Sequence, residues 1–284
     1  MSEEFGEKRT LANVPVFISK PPKSRKPSGL TILLTAANIP LSKYTSIRDA
    51  LLSVDQVVVG FMINAMNPIR NNHRTKAENV RALFDTLKHD LKVDKYDIVG
   101  HSVGGKIALL VASLHNQDGA LHNVVALDPV DQSPVEFTNK LSRDNLSLKN
   151  CGARSVTVTC TGTGMFLKKE HNGRAIHRGN SDVVKLINHE GAGHMSYCDD
   201  EDGRVSWKSV MNAVDNGDES KNKEAKQEAL LLVRDKSTSA TGKVLKGLKK
   251  DIMAGVEGVQ KDVENVASGG AFKSLRKNML KSMF

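Results

Sequence analysis

Tyr96-Asp97-Ile98-Val99-Gly100-His101-Ser102-Val103-Gly104-Gly105 is the stretch on which the fold turns. Tyr-Asp-Ile-Val has the apolar, β-branched character of a buried strand, and residues 106–114 (KIALLVASL) continue as an apolar helix. Between them lies Gly-x-Ser-x-Gly with a further glycine behind it. Small residues are required here because the strand must reverse into the helix at a strained angle while the serine hydroxyl is held outward. Alone, the pattern also describes a tight glycine-rich turn. With a strand before it and a helix after it, Ser102 becomes the candidate nucleophile.

Working outward, short apolar runs alternate with helical patterns. Val14–Ser19 reads as an early edge strand, since Pro15 cannot donate to a ladder. Residues 20–29 carry three prolines and four basic residues and read as a solvated loop. Further strands are predicted at 30–35, 56–61, 97–99, 123–127, 155–160 and, more weakly, 183–187. Residues 44–53 suit a first crossover helix. Residues 76–91 repeat apolar side chains at Val80, Leu83, Phe84, Leu87 and Leu91, a helical period that faces a sheet. This succession predicts a doubly wound, mostly parallel sheet, with reactive residues at the carboxyl ends of its strands. Ser102 and Asp128 both fall at such ends, and the expected fold is the α/β-hydrolase.

A serine nucleophile needs an imidazole to take its proton and a carboxylate to orient that imidazole, in the chain order Ser, acid, His. Of the nine histidines, His171, His177, His189 and His194 follow the acid. His194 is preferred because Gly191 and Gly193 flank it in a loop beyond the last strand, and His189 is its nearest rival. Asp128 is the first choice of acid: it ends a buried strand and is followed by Pro129. Asp131 and Asp182 are the alternatives. Asp199, Asp200 and Asp202 lie beyond His194, out of order, and read as a solvated loop. An oxyanion hole is expected from the backbone N–H of Val103 and one from the loop after the 30–35 strand, assigned by position to Ala37.

At 284 residues, 39% of them hydrophobic, the chain is long enough for one full α/β domain plus an appendage. The domain is placed at residues 1–241. Residues 242–284 form a basic amphipathic helical tail: Val244, Leu245, Leu248, Ile252, Val256, Val259, Val263 and Val266 recur at helical spacing. A break at Ser268-Gly269-Gly270 precedes a second basic segment. Residues 216–284 hold 14 Lys/Arg against 9 Asp/Glu, a disproportionate share of the formal charge of +9. That tail suits packing on the domain or on a second copy, giving a homo-oligomer, or lying on an anionic membrane surface. Nucleic acid is disfavoured by an aromatic content of 4% and the lack of a recognisable module. Cys151, Cys160 and Cys198 are an odd set without ligand spacing and read as reduced structural thiols. No cofactor or metal is implied. The acidic start lacks the features of a secretory or transit segment. The expectation is a cytoplasmic or peripheral membrane protein, with the chloroplast open to a chain that has lost a targeting segment.

Three segments together resemble chlorophyllase, the α/β-hydrolase that removes the phytyl ester from chlorophyll. They are Gly100-His101-Ser102-Val103-Gly104-Gly105-Lys106, then Ala126-Leu127-Asp128-Pro129-Val130, then Gly193-His194-Met195-Ser196-Tyr197-Cys198-Asp199-Asp200. The resemblance covers roughly residues 12–205. It implies the triad Ser102, Asp128 and His194, and favours Asp128 over Asp182 because that family places its acid one strand early. Val103 replaces the family's arginine, and Thr35-Ala36 stands where the family has His-Gly. Hydrolysis of a hydrophobic or lipid-like carboxylic ester is therefore the expectation, with chlorophyll one option. Dienelactone-hydrolase-like enzymes share much of the pattern. The alternative is a catalytically weak or inactive hydrolase scaffold that acts through its tail as a membrane- or partner-binding module.

Overall fold

Side chains that alternate along short apolar strands bury two opposite faces, and this period builds one eight-stranded sheet. The computed structural model describes residues 5–23, 26–64, 73–115, 118–130, 147–162, 173–199 and 217–237. The strands are β1 (Glu7–Leu11), β2 (Val14–Ser19), β3 (Gly29–Leu34), β4 (Gln56–Phe61), β5 (Tyr96–His101), β6 (Leu121–Leu127), β7 (Ser155–Cys160) and β8 (Val184–Asn188). Their order is β1-β2-β4-β3-β5-β6-β7-β8. The β1–β2 and β2–β4 pairs are antiparallel and the others parallel. The sheet is doubly wound and mostly parallel, as the sequence predicts.

Among the described residues five α-helices accompany it: α1 (Thr45–Leu52), α2 (His73–Leu91), α3 (Val103–His115), α4 (Gly173–Gly179) and α5 (Glu219–Ser237). Parallel crossovers are right-handed, so the direction in which the chain moves across the sheet decides which face the helix covers. From β3 to β4 it moves one way, placing α1 on one face. From β4 to β5, β5 to β6 and β7 to β8 it moves the other way, placing α2, α3 and α4 opposite. The sheet residues divide accordingly. Leu30, Ile32 and Leu34 of β3 and Ile98 of β5 pack with Val80, Phe84, Ile107 and Val111 of α2 and α3. Leu33, Val58, Val99 and Val125 pack with Ile47 and Leu51 of α1 and with Ala225, Ala229 and Val233 of α5. Helix α5 thus closes the α1 face through the apolar patch at 230–233 and the small residues one and two turns earlier.

Two expectations change. Val14–Ser19 is not the edge strand, because β1 lies outside it. The argument from Pro15 holds for the residue alone: β2 pairs β4 only through Phe17, Ile18 and Ser19, so Pro15 projects past that ladder and its missing N–H costs no bond there. Strand β1, EKRTL, is almost wholly exposed and carries no alternation by which to read it. Asp199 is not in a solvated loop either. It accepts bonds from Thr45 Oγ1 at 2.7 Å, from the Ser46 amide at 3.0 Å and from Lys226 Nζ at 2.7 Å, and a further one from Ser46 Oγ. It therefore clamps the start of α1 to α5. Burial works to raise its pKa, but the Lys226 ammonium and the Ser46 and Thr45 donors override it and hold the carboxyl below its ordinary value.

Cys151, Cys160 and Cys198 are buried thiols outside any disulfide among the described residues. Among the described residues no helix is long and apolar enough to cross a membrane. Asp131, His171, Asp200, Asp202 and the whole predicted tail, 242–284, lie outside the described residues.

Candidate active site

The chain reverses its progress across the sheet between β4 and β5, so the loops after β3 and β5 diverge from neighbouring strands and leave a crevice at their carboxyl ends. Ser102 follows β5 directly. Its φ of +57° lies in the left-handed region, which a residue with a Cβ adopts at a cost. The elbow survives because its glycines let main chain approach main chain. A methyl on Gly104 would sit 2.5 Å from the carbonyl oxygens of both Leu34 and Thr35, and one on Gly100 would collide with the Gly104 carbonyl. The Ser102 amide donates to Leu127 O at 2.9 Å, while its carbonyl accepts from Lys106 N and Val130 N. The serine is thereby locked to the turn after β6.

That turn carries Asp128, also at positive φ, +42°. Its amide donates to Thr159 O at 3.1 Å and Thr159 Oγ1 at 3.2 Å on the neighbouring β7. Its carboxylate accepts from the Thr161 amide at 3.0 Å, from Thr161 Oγ1 at 2.5 Å and from His194 Nδ1 at 2.7 Å. Burial alone would raise this carboxyl's pKa, but the bonds from His194 and Thr161 outweigh it and hold the acid ionised. His194 opens a single 3₁₀ turn, His194–Tyr197, six residues after β8 ends. Asn222 of α5 accepts from the Gly193 amide at 2.7 Å and fixes the approach of that loop. Ser102, Asp128 and His194 are all little exposed, at 6%, 0% and 8%.

The alternatives that fall within the described residues, Asp182, His177 and His189, have other surroundings. Asp182 is exposed and precedes β8, so it lies at the amino end of the strand, opposite the crevice. His177 sits on α4. His189 has both ring nitrogens engaged: the Tyr197 hydroxyl accepts from Thr159 Oγ1 at 2.9 Å and donates to His189 Nδ1 at 2.8 Å, and His189 Nε2 donates to Glu228 at 3.0 Å. It braces α5 against the 194–197 turn.

At the turn after β3 the main-chain donors can be followed one by one. Thr35 N–H goes to Phe61 O, Ala36 N–H to the Tyr44 hydroxyl, Asn38 N–H to Ile63 O and Ile39 N–H to Ala36 O. Among the described residues the Ala37 amide is the one of the five without an acceptor, and the Val103 amide, first in α3, has none either.

Sequence reasoning missed Thr161, Tyr44, His101 and Tyr197. Thr161 had a readable signal, since it follows β7 as Asp128 follows β6, on the adjacent strand. His101 lay inside the motif but reads there as a strand residue. It is fully buried, donates from Nε2 to His194 O at 3.0 Å and accepts at Nδ1 from Tyr44 at 2.8 Å. Burial, then the neighbouring His194, pushes its pKa down to about 3, so it stays neutral.

No protein-family model and no curated protein sequence matches the chain. Solved structures do. Est1E from Butyrivibrio proteoclasticus superimposes with a TM-score of 0.53 at 11% identity, over 80% of this chain and 98% of that one. TT1662 from Thermus thermophilus gives 0.53 at 12% identity, over 82% and 98%. The esterase domain of a Rhodothermus marinus protein gives 0.51 at 14% identity, over 79% and 98%. With the strand order and the strained turn after β5, these likenesses establish that the chain has the α/β-hydrolase fold.

Proposed function

We propose that this chain is a serine carboxyl-ester hydrolase in which Ser102 is the nucleophile, His194 its general base and Asp128 the orienting acid. The observation that carries the reading is the 2.7 Å bond from His194 Nδ1 to a fully buried, ionised Asp128. That bond fixes the tautomer in which Nε2 carries the lone pair, the form needed to remove a serine proton. His194 takes the Ser102 proton as Oγ attacks the ester carbonyl. The tetrahedral oxyanion is held by the amides of Val103 and Ala37, and the alcohol leaves with the proton from His194. Water then enters by the reverse sequence and releases the acid from the acyl-enzyme.

The proposed substrate class is a hydrophobic carboxylic ester. Its support is the resemblance of the three triad segments to chlorophyllase. Val103 in place of that family's arginine and Thr35-Ala36 in place of its His-Gly set this chain apart from chlorophyllase, so the chemistry is carried over more firmly than chlorophyll itself. The name of the Rhodothermus marinus neighbour, an esterase domain, agrees with the reaction class.

The test is covalent labelling of the full chain by a fluorophosphonate, with hydrolysis of a p-nitrophenyl ester series from acetate to palmitate, and of chlorophyll, alongside. Label at Ser102 that disappears in Ser102→Ala, with loss of turnover, is the expected result. Undiminished turnover in that variant rejects the assignment, and a rate that falls steadily with acyl length rejects the hydrophobic substrate.

A further inference from the structure

With Cys198 Sγ 3.8 Å from the same His101 Nδ1, the Tyr44 hydroxyl lies between the Ala36 amide and that ring nitrogen. Its oxygen accepts the Ala36 N–H at 2.9 Å, so its own proton is directed to His101 Nδ1 at 2.8 Å. The His101 ring proton must then sit on Nε2, where it meets the carbonyl of His194 at 3.0 Å. The opposite tautomer would set an Nε2 lone pair against a carbonyl lone pair, so the direction of the whole chain is fixed. Every side chain in it is fully buried. The imidazole is also boxed by rings: His194 at 4.8 Å between centroids, Tyr197 at 5.5 Å and Tyr44 at 5.9 Å.

This relay joins three separate pieces of chain. Ala36 precedes Ala37 in the turn after β3, His101 precedes Ser102 in the elbow, and the His194 carbonyl belongs to the residue whose ring is bonded to Asp128. His194 is consequently held at two points, the ring by Asp128 and the main chain by His101. The Ala36 amide, meanwhile, is turned into the interior by Tyr44, leaving its neighbour as the donor without an acceptor among the described residues.

We propose that Tyr44 and His101 are positioning residues for the hydrolysis: together they set the separation between the amide-bearing turn after β3 and the loop that carries His194. The proposal rests on the reading of Ser102, Asp128 and His194 given above. Neither residue hydrogen-bonds to Ser102 or to the His194 ring. Their effect is on how often base and oxyanion donors are simultaneously in place, so it falls on kcat rather than KM. Displacements near 1 Å at such a site cost on the order of 10²-fold in rate.

The experiment measures steady-state hydrolysis of p-nitrophenyl butyrate by the full chain and by Tyr44→Phe, His101→Leu, His101→Asn and His101→Gln, with Ser102→Ala in parallel and a thermal midpoint for each. Glutamine reaches the level of Nε2 and can donate to the His194 carbonyl, whereas asparagine stops at the level of Nδ1. The expected pattern is a kcat lowered about 10-fold in Tyr44→Phe and about 10²-fold in His101→Leu and His101→Asn. KM stays within about twofold and His101→Gln recovers most of the loss. Nitrogen-15 spectra of the histidine rings should show His101 as the Nε2–H tautomer. Wild-type kcat in the Tyr44 and His101 variants, with Ser102→Ala inactive, overturns the positioning role alone. A kcat that tracks the thermal midpoint, with glutamine no better than asparagine, also overturns it, as does an Nδ1–H tautomer. Full turnover in Ser102→Ala overturns the catalytic reading beneath it. If His101→Leu does not fold, Tyr44→Phe, which removes one oxygen atom, decides the question.

Discussion

His194 donates through Nδ1 to the carboxylate of Asp128 at 2.7 Å, across 66 residues of sequence. Asp128 sits on a strained turn at the end of β6, and His194 in a loop beyond β8. Two strands and the crossover between them separate the pair in the chain, while the parallel pairing of β6, β7 and β8 sets their loops side by side at one edge.

Replacing Asp128 by asparagine leaves the Thr161 contacts nearly isosteric but exchanges an acceptor for a group that can present an N–H to His194. The imidazole is then free to take the wrong tautomer. A fall in kcat on the order of 10³- to 10⁴-fold, at little change in KM and with an unchanged circular dichroism spectrum, is expected for the proposed role. Loss of less than tenfold would remove Asp128 from it.

Gly104→Ala tests the elbow's packing. The added methyl meets two carbonyl oxygens of rigid main chain at 2.5 Å, so β3 or α3 must move. Urea unfolding should show destabilisation of roughly 2 kcal/mol or more. Gly162→Ala is the control: among the described residues its methyl would find only Ala192 O at 3.5 Å, an ordinary contact, and should change stability by about 0.5 kcal/mol or less.

Asp199→Asn should cost on the order of 2 kcal/mol at pH 7, by removing a charged acceptor shared by Thr45, Ser46 and Lys226. The folded carboxyl is held below its unfolded value, near 3.9. Its contribution is therefore full above about pH 4 and is lost as the pH falls through the folded value. Wild-type and variant unfolding curves should differ at neutral pH and converge in acid. A difference independent of pH contradicts the charged clamp.

His101 carries a linkage of the same sign over a higher pH range. Its folded pKa is about 3, against an unfolded value near 6.5, so between these limits the unfolded chain binds a proton that the folded chain refuses. Stability must fall as pH drops below about 6.5, by roughly 1.4 kcal/mol per pH unit for this residue. His73, also pushed down to about 3, first by burial and then by Lys106 and Lys76, contributes a slope of the same sign. Urea titrations from pH 4.5 to 6 should therefore show His101→Gln with the shallower pH dependence, and an unaltered slope would mean that the buried ring is charged.

What could be read from the sequence were features that local physics repeats. Apolar β-branched runs mark strands of a sheet covered on both faces, and the 3.6-residue period at Val80, Leu83, Phe84 and Leu87 marks the face of α2 that packs on it. Glycines at 100, 104 and 105 mark a place where main chain must approach main chain, which puts Ser102 on its turn. Asp128 and His194 were legible as positions at strand ends and in a glycine-flanked loop. Strand β1 was not legible, because both of its faces are largely wet and a ladder of main-chain bonds needs no side-chain pattern.

The partnerships were decided only by tertiary structure. Nothing local distinguishes Asp199, a clamp on α1, from a solvated acid, or His189, a brace for α5, from a candidate base. Nor does the motif reveal that His101 reaches one way to Tyr44 and the other to the main chain of His194. Hydrogen bonds between side chains far apart in sequence depend on which loops the sheet order brings together and on which donors the main chain has already used. Strand order follows from the handedness of the crossovers and the packing of whole helices, so sequence determined the elements and the elbow, and the three-dimensional arrangement determined which groups at that edge hold one another in place.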